Sequence, residues 1–210
     1  MTDDPPVDES KRATLRRFAA LGAASPIAGL VASDAEAADA DAAGGSEARD
    51  AIRGYVAATP GAHFSKLRDD LKLGTGEAQY HLRQLVEAGA VESQKDGDYR
   101  RFFPAGRFSP FEQTVLGYLR RETPRGMLVE LLRDPDATGA DLADALDVSR
   151  PTISTYAGEL DEAGLLDRED GYAVEQPETV LVLLIRYADS FGADAIQLAA
   201  EADELVRFDG

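Results

Sequence analysis

The chain has 210 residues, 44% of them hydrophobic, and a formal net charge of −17 at pH 7. That leaves room for one large domain or two small ones. Cysteine is absent, which excludes a disulfide framework, a thiolate metal site and a cysteine nucleophile, and His63 and His81 are too few for a histidine-rich metal centre or relay. No run of sequence reaches the roughly 18 apolar residues of a membrane-spanning helix.

Lysine occurs only at Lys11, Lys66, Lys72 and Lys95, whereas Arg, Asp and Ala are plentiful. This bias resembles that of proteins from extreme halophiles, whose acidic surfaces stay hydrated in concentrated salt. The other reading is an acidic protein with basic partners. At about 1 M salt the Debye length is only about 3 Å, so short-range contacts rather than global charge decide what such a protein binds.

In chain order, residues 1–46 form an N-terminal extension. Basic residues (Lys11, Arg12, Arg16, Arg17) precede an apolar run over 18–32, and an Ala/Asp/Gly-rich linker follows to residue 46. That is the order of a secretory signal, and Arg16-Arg17-Phe18 is similar to a twin-arginine one, although Leu15 stands where Ser or Thr would precede the pair. Three readings stay open. The segment is a helical or loosely ordered arm, or an upstream-start extension; it is a retained tether to a membrane; or it is a true export signal. The arm is preferred.

A first module spans 47–107. Ile52, Tyr55 and Val56 recur at helical spacing over about 47–58, and Thr59-Pro60-Gly61 stops that helix. A second helix over about 64–71 buries Phe64, Leu67 and Leu71. The Gly74-Thr75-Gly76 stretch predicts a tight corner. A third helix then runs to about Ala88, with Leu82, Leu85 and Val86 inward and Gly89 as its stop. VESQKDGDYRRFF alternates around Asp96-Gly97, a hairpin signal.

The same pattern returns 75 residues later. Leu67 falls on Leu142, Leu71 on Leu146, Leu85 on Leu160, and Ala88-Gly89 on Ala163-Gly164. A second module, 108–176, therefore predicts helices at about 110–119, 127–132, 138–146 and 151–163, with a turn at 147–150 and a short hairpin at Asp170-Gly171. Pro151 sits in a first turn, where its missing N–H costs nothing. Residues 177–210 follow as an apolar helical segment.

Three helices, the last two joined by a tight turn and followed by a hairpin, make a winged helix-turn-helix. The fold class expected is mainly α with small β-hairpin wings: two tandem winged helix-turn-helix domains plus a C-terminal helix. PGAHFSKLRDDLKLGTGEAQYHLRQLVEAGAV with RRFFP, and LADALDVSRPTISTYAGELDEAGLL, resemble winged helix-turn-helix transcriptional regulators of the MarR/ArsR-like superfamily, especially the tandem type of haloarchaea. The resemblance covers about residues 49 to 191. It implies a cytoplasmic, sequence-specific regulator of transcription whose partner is double-stranded DNA; the residues themselves offer no metal-ligand spacing, phosphate-cradling glycine loop or nucleophile with a base, so no enzymatic activity, cofactor or metal is expected.

In this motif the third helix enters the major groove and its outward N-terminal residues meet base edges. In the first module the outward set expected is Thr75, Glu77, Ala78, Gln79, His81 and Arg83. Gln79 suits a paired contact to adenine, and Arg83 suits guanine or phosphate. His81 has a competing reading as a residue that bonds to a neighbour inside the module. In the second module the matching face offers Ser149, Arg150, Thr152, Ser154, Thr155 and Tyr156, short hydroxyls and one Arg suited to phosphate contacts.

Between Tyr99 and Arg125 lie Arg100, Arg101, Arg107, Arg120, Arg121 and Arg125, opposed by Glu112 and Glu122, and Lys95 extends this cluster to the wing tip. Phosphate anchoring is expected there, with ordinary surface pairing or helix-end roles as the alternative. The second wing, Asp167-Arg168-Glu169-Asp170, is acidic, so the first module is expected to be the stronger DNA reader. Val180, Leu183, Leu184, Tyr187 and Phe191 form an apolar stripe that either packs within the chain or joins two copies, and a homodimer is favoured. The rival function is a winged-helix adaptor that binds the transcription machinery without touching DNA, with the N-terminal segment as an optional membrane tether.

Overall fold

The structure is a computed structural model that describes residues 9–23 and 40–205. These fall into two compact units divided between Phe108 and Ser109.

The first unit contains α1 (Glu9–Ala23), α2 (Ala40–Ala58), β1 (Ala62–His63), α3 (Phe64–Asp70), α4 (Thr75–Glu87), β2 (Val91–Asp96) and β3 (Tyr99–Pro104). Its sheet has the order β1-β3-β2, antiparallel throughout. The core is drawn from every element: Ile52 and Tyr55 of α2, Leu67 of α3, Leu82 of α4, Val91 of β2 and Phe102 of β3 are all buried.

One expectation for the N-terminal region needs correction. α2 begins at Ala40 rather than near residue 47, because the supposed linker is rich in alanine, the strongest helix former. Residues 9–23 form a helix docked on this unit. Leu15 is 5% exposed and the Phe18 ring meets Tyr55 edge-on, with centroids 5.1 Å apart. Burial of that stripe supplies the stability that a lone 15-residue helix lacks. The rest of the apolar run, residues 24–32, and the linker to residue 39 lie outside the described residues. Among the described residues no helix is long and apolar enough to cross a membrane.

The helix-turn-helix corner is built differently from its glycine signal. Gly74 has φ −65° and caps α4, and Gly76 lies within the helix. The left-handed residue is Lys72 at φ 56°, and its counterpart 75 positions on, Asp147, has φ 52°. Each follows a leucine and closes the turn in the same way: Leu73 N–H donates to Arg68 O at 3.0 Å, and Val148 N–H donates to Ala143 O at 3.1 Å. The helix stops also repeat. Gly89 at φ 66° and Gly164 at φ 69° both occupy the left-handed position after their helices, where glycine carries no Cβ penalty.

The second unit contains α5 (Pro110–Leu119), α6 (Glu122–Arg133), α7 (Gly139–Ala145), α8 (Arg150–Glu162), β4 (Leu166–Asp167), β5 (Ala173–Val174), α9 (Pro177–Arg186), α10 (Ala188–Phe191) and α11 (Ala193–Leu205). Ser109 caps α5 reciprocally with Glu112, and Thr138 caps α7 with Asp141. The wing is a two-residue pairing, far shorter than the six-residue strands of the first unit.

The apolar C-terminal stripe is spent inside this unit. Val180 and Leu184 are fully buried, and Leu183 and Tyr187 nearly so. Phe191 is half-buried, with the Arg120 guanidinium stacked over its ring at 4.4 Å. Arg125 reaches Asp194 at 2.7 Å, and Arg133 reaches Glu201 at 2.9 Å, fastening α11 to α6. The expectation that this stripe joins two copies is corrected at four of its five positions: Val180, Leu183, Leu184 and Tyr187 are already buried in their own module, while Phe191 is half-buried.

Candidate nucleic-acid interface

α4 is amphipathic by spacing. Ala78, Leu82 and Leu85 point into the core, leaving Thr75, Gln79 and Arg83, at i, i+4 and i+8, along the opposite ridge, and all three are exposed. Among the described residues Arg83 forms one ion pair, a loose i,i+4 approach to Glu87 at 3.9 Å, with both side chains about two-thirds exposed. Tyr80 also belongs to this surface. It is 49% exposed, and its hydroxyl accepts from Gln84 Nε2 at 2.9 Å. Tyr80 was missing from the expected contact set, although its i,i+4 spacing with Gln84 was legible.

Three members of the expected outward set are placed otherwise. Ala78 is fully buried and His81 is 8% exposed. His81 stands edge-on to Tyr80 and lies against α2, where a Cβ on Gly45 would be 3.5 Å from its Cε1. Its Nδ1 has no hydrogen-bond partner among the described residues. It is an interior residue, not a base reader. Glu77 is half-buried and engaged at the helix start, where it accepts from the Gly74 N–H at 3.3 Å and from Lys11 Nζ at 3.0 Å. That suits a carboxylate at a positive helix end.

The wing separates two adjacent arginines. β3 pairs with β2 so that Lys95 stands opposite Arg100 and Gln94 opposite Arg101. Lys95 and Arg100 are both exposed, and neither forms an ion pair among the described residues. Arg101 is 3% exposed, forms an ion pair with Asp96, and donates from Nη1 to Gly61 O at 3.0 Å. Arg101 therefore anchors the wing and is removed from the phosphate-contacting set. Arg107 is half-buried, with its guanidinium 5.7 Å from the Phe108 ring centroid.

The other cluster arginines serve the second unit. Arg120 donates to Ser190 O, and Arg121 pairs with Glu159 at 3.0 Å. Arg125 is 8% exposed and donates to Leu119 O at 3.1 Å as well as to Asp194. All three fold into the second unit, although they lie close in sequence to the first wing.

In the second module the hydroxyls are largely turned inward on their own helix. Ser149 Oγ accepts from the Thr152 N–H at 3.3 Å and bonds the Thr152 hydroxyl at 2.8 Å, and Thr155 donates to Pro151 O at 3.0 Å. Arg150 and Ser154 are exposed, and Tyr156 is half-buried. The short wing carries Asp167, Glu169 and Asp170, all exposed, beside a cavity of about 660 Å³ that also meets Asp136, Thr138 and Tyr172. Among the described residues no group of acidic and histidine side chains is placed to hold a metal ion.

Two copies of the helix–corner–helix–wing arrangement, one with an exposed polar ridge and a basic wing, define a tandem winged helix-turn-helix protein. Residues 46–116 match a family described as an N-terminal HTH domain, and residues 125–173 match the MarR family. The chain is also 27% identical over 126 residues to an uncharacterised HTH-type transcriptional regulator of Methanocaldococcus jannaschii, an archaeal protein. That alignment covers 60% of this chain and 32% of the relative, so the chain spans about a third of that protein's length. No solved structure matches the chain.

Proposed function

We propose that the protein regulates transcription by binding duplex DNA sequence-specifically through its first module, in the cytoplasm where the genome lies. α4 enters the major groove, Gln79 and Arg83 read base edges, and Thr75 touches the backbone beside them. Lys95 and Arg100 hold a neighbouring phosphate from the wing.

The observation that carries this reading is the Lys95–Arg100 pair. Side chains directly opposite on antiparallel strands start about 5 Å apart, and like charges there are destabilising. Two exposed cations so placed in a strongly acidic chain lack a reason in the fold, and an oxygen anion between them supplies one. Direct contacts of this kind hold in concentrated salt, where long-range attraction is screened.

The second module supports a different role. Its acidic wing repels phosphate, and its recognition helix keeps most of its hydroxyls satisfied internally, which favours a protein contact over DNA. The reading is tested by fluorescence-anisotropy titration of the full chain against pooled genomic fragments in about 2 M KCl. The wild type selects a few fragments; Arg83→Ala blurs that selection, and Lys95→Ala/Arg100→Ala weakens binding to every fragment alike. A wild type that selects no fragment leaves the protein-adaptor reading in its place.

A further inference from the structure

We propose that α1 is a second phosphate-contacting element, which carries Arg12 and Arg16 to the DNA backbone beside the recognition helix. The inference rests on the first module being the DNA reader. Its starting point is the basic segment that resembled a signal and that the fold has taken up as a helix.

The position of α1 is set by its first turn. Lys11 Nζ bonds Glu77 Oε2 at 3.0 Å, and Ser10 Oγ accepts from Lys72 Nζ. Lys72 is the left-handed residue of the helix-turn-helix corner, and Glu77 lies in the first turn of α4. The start of α1 is therefore pinned to the end of the recognition helix that faces DNA in this motif.

The faces of α1 are divided by helical spacing. Lys11, Leu15 and Phe18, at i, i+4 and i+7, turn toward the module, and Leu15 is buried there. Arg12 and Arg16, four residues apart, turn outward and are exposed. Arg12 has no ion-pair partner among the described residues. Arg16 approaches Glu47 at 3.6 Å with its own side chain 75% exposed, a contact worth little in salt.

Lys11 is partnered by Glu77, and Glu9 is the acidic residue of the same turn. Arg12 is exposed beside them without an ion pair among the described residues, and a phosphate oxygen next to it supplies one.

The test uses the full chain carrying Arg12→Gln/Arg16→Gln, titrated against a fragment that the wild type selects, from about 0.5 to 2 M KCl. Both substitutions lie on the solvent face, and circular dichroism melting confirms an intact fold. The expected result is binding weaker by about tenfold at the lowest salt, a plot of log K against log salt shallower by about two contacts, and an unchanged ranking of fragments. Equal affinity and slope in variant and wild type overturn the inference and leave the DNA reading standing. Tighter binding by the variant also overturns it and makes α1 a cover over α4. A wild type that selects no DNA overturns the inference together with the reading beneath it.

Discussion

Arg101 Nη1 donates to the carbonyl of Gly61 at 3.0 Å, so a residue of the wing closes the turn that ends the first helix of the module. Arg100, its neighbour, points to solvent. The two substitutions therefore separate stability from binding. Arg101→Ala removes the ion pair with Asp96, which is 20% exposed, and the bond to the Gly61 carbonyl, so the cost is about 2 kcal/mol, below that of a fully buried pair. Arg100→Ala changes stability by less than about 0.5 kcal/mol. Denaturant unfolding followed by circular dichroism measures both. Equal losses of stability would show that the neighbours share one role.

His63 gives the first module a pH dependence. Its Nδ1 accepts from the Lys66 N–H at 3.3 Å at the start of α3, a cap that requires the neutral ring. Burial, and then the positive charges of Arg101 and Lys66, lower its pKa, while Asp69 and Asp70 pull the other way. In the unfolded chain the ring titrates near about 6.5, so below that value the unfolded state binds more protons than the folded one. The stabilisation is complete above about 6.5 and is lost as pH falls toward the lowered folded value. His63→Asn keeps a capping oxygen without titrating. Unfolding curves between about pH 7.5 and 5 should slope for the wild type and flatten for the variant; matching slopes would locate the dependence elsewhere.

Gly126 lies where α6 passes the corner of the second module. A Cβ there would stand 2.6 Å from Leu146 Cδ2, closer than side chains approach. Leu146 is only half-buried, so its tip can swing outward, and Gly126→Ala should cost about 1 kcal/mol, at the low end for overpacking. Adding Leu146→Ala removes the clash, so a double-mutant cycle should show coupling of about 0.5 kcal/mol or more. Strict additivity would mean that the two do not meet.

Leu184 tests the assignment of the C-terminal stripe. It is fully buried within the second unit, so Leu184→Ala should cost about 2–5 kcal/mol by opening a cavity. Its effect on molecular mass in light scattering should be nil. Val182, on the same helix but 57% exposed, should tolerate lysine within about 0.5 kcal/mol. A fall in mass with Leu184→Ala, without loss of stability, would restore the dimer interface to this face.

Much of the architecture could be read from spacing. α5 has the expected bounds, the first hairpin turns at Gly97-Asp98, one residue from the expected Asp96-Gly97, and the 75-residue repeat reappears as matching left-handed residues, Lys72 and Asp147. The corner glycines misled because the left-handed position fell on Lys72. That lysine carries a real backbone penalty, offset by the closing hydrogen bond and the burial of Leu71 and Leu73 on either side. The N-terminal segment misled for another reason. A basic stretch followed by small apolar residues has the same composition whether it is bound for a membrane or for the side of a helix.

By itself the sequence determined the repeated module, the helix periods, the polar ridge of Thr75, Gln79 and Arg83, and the basic character of the first wing, because each depends on residues close together along the chain. Only the tertiary structure decided which arginines are at the surface. Arg100 and Arg101 are identical in chemistry and adjacent in sequence, and strand alternation sends them to opposite faces. What buries Arg101 is the pairing of His63 in β1 against it, together with the Gly61 carbonyl waiting forty residues upstream. A residue's own neighbours along the chain hold no record of such a partner, since it is the folding of a distant segment that covers one face and leaves the other in water.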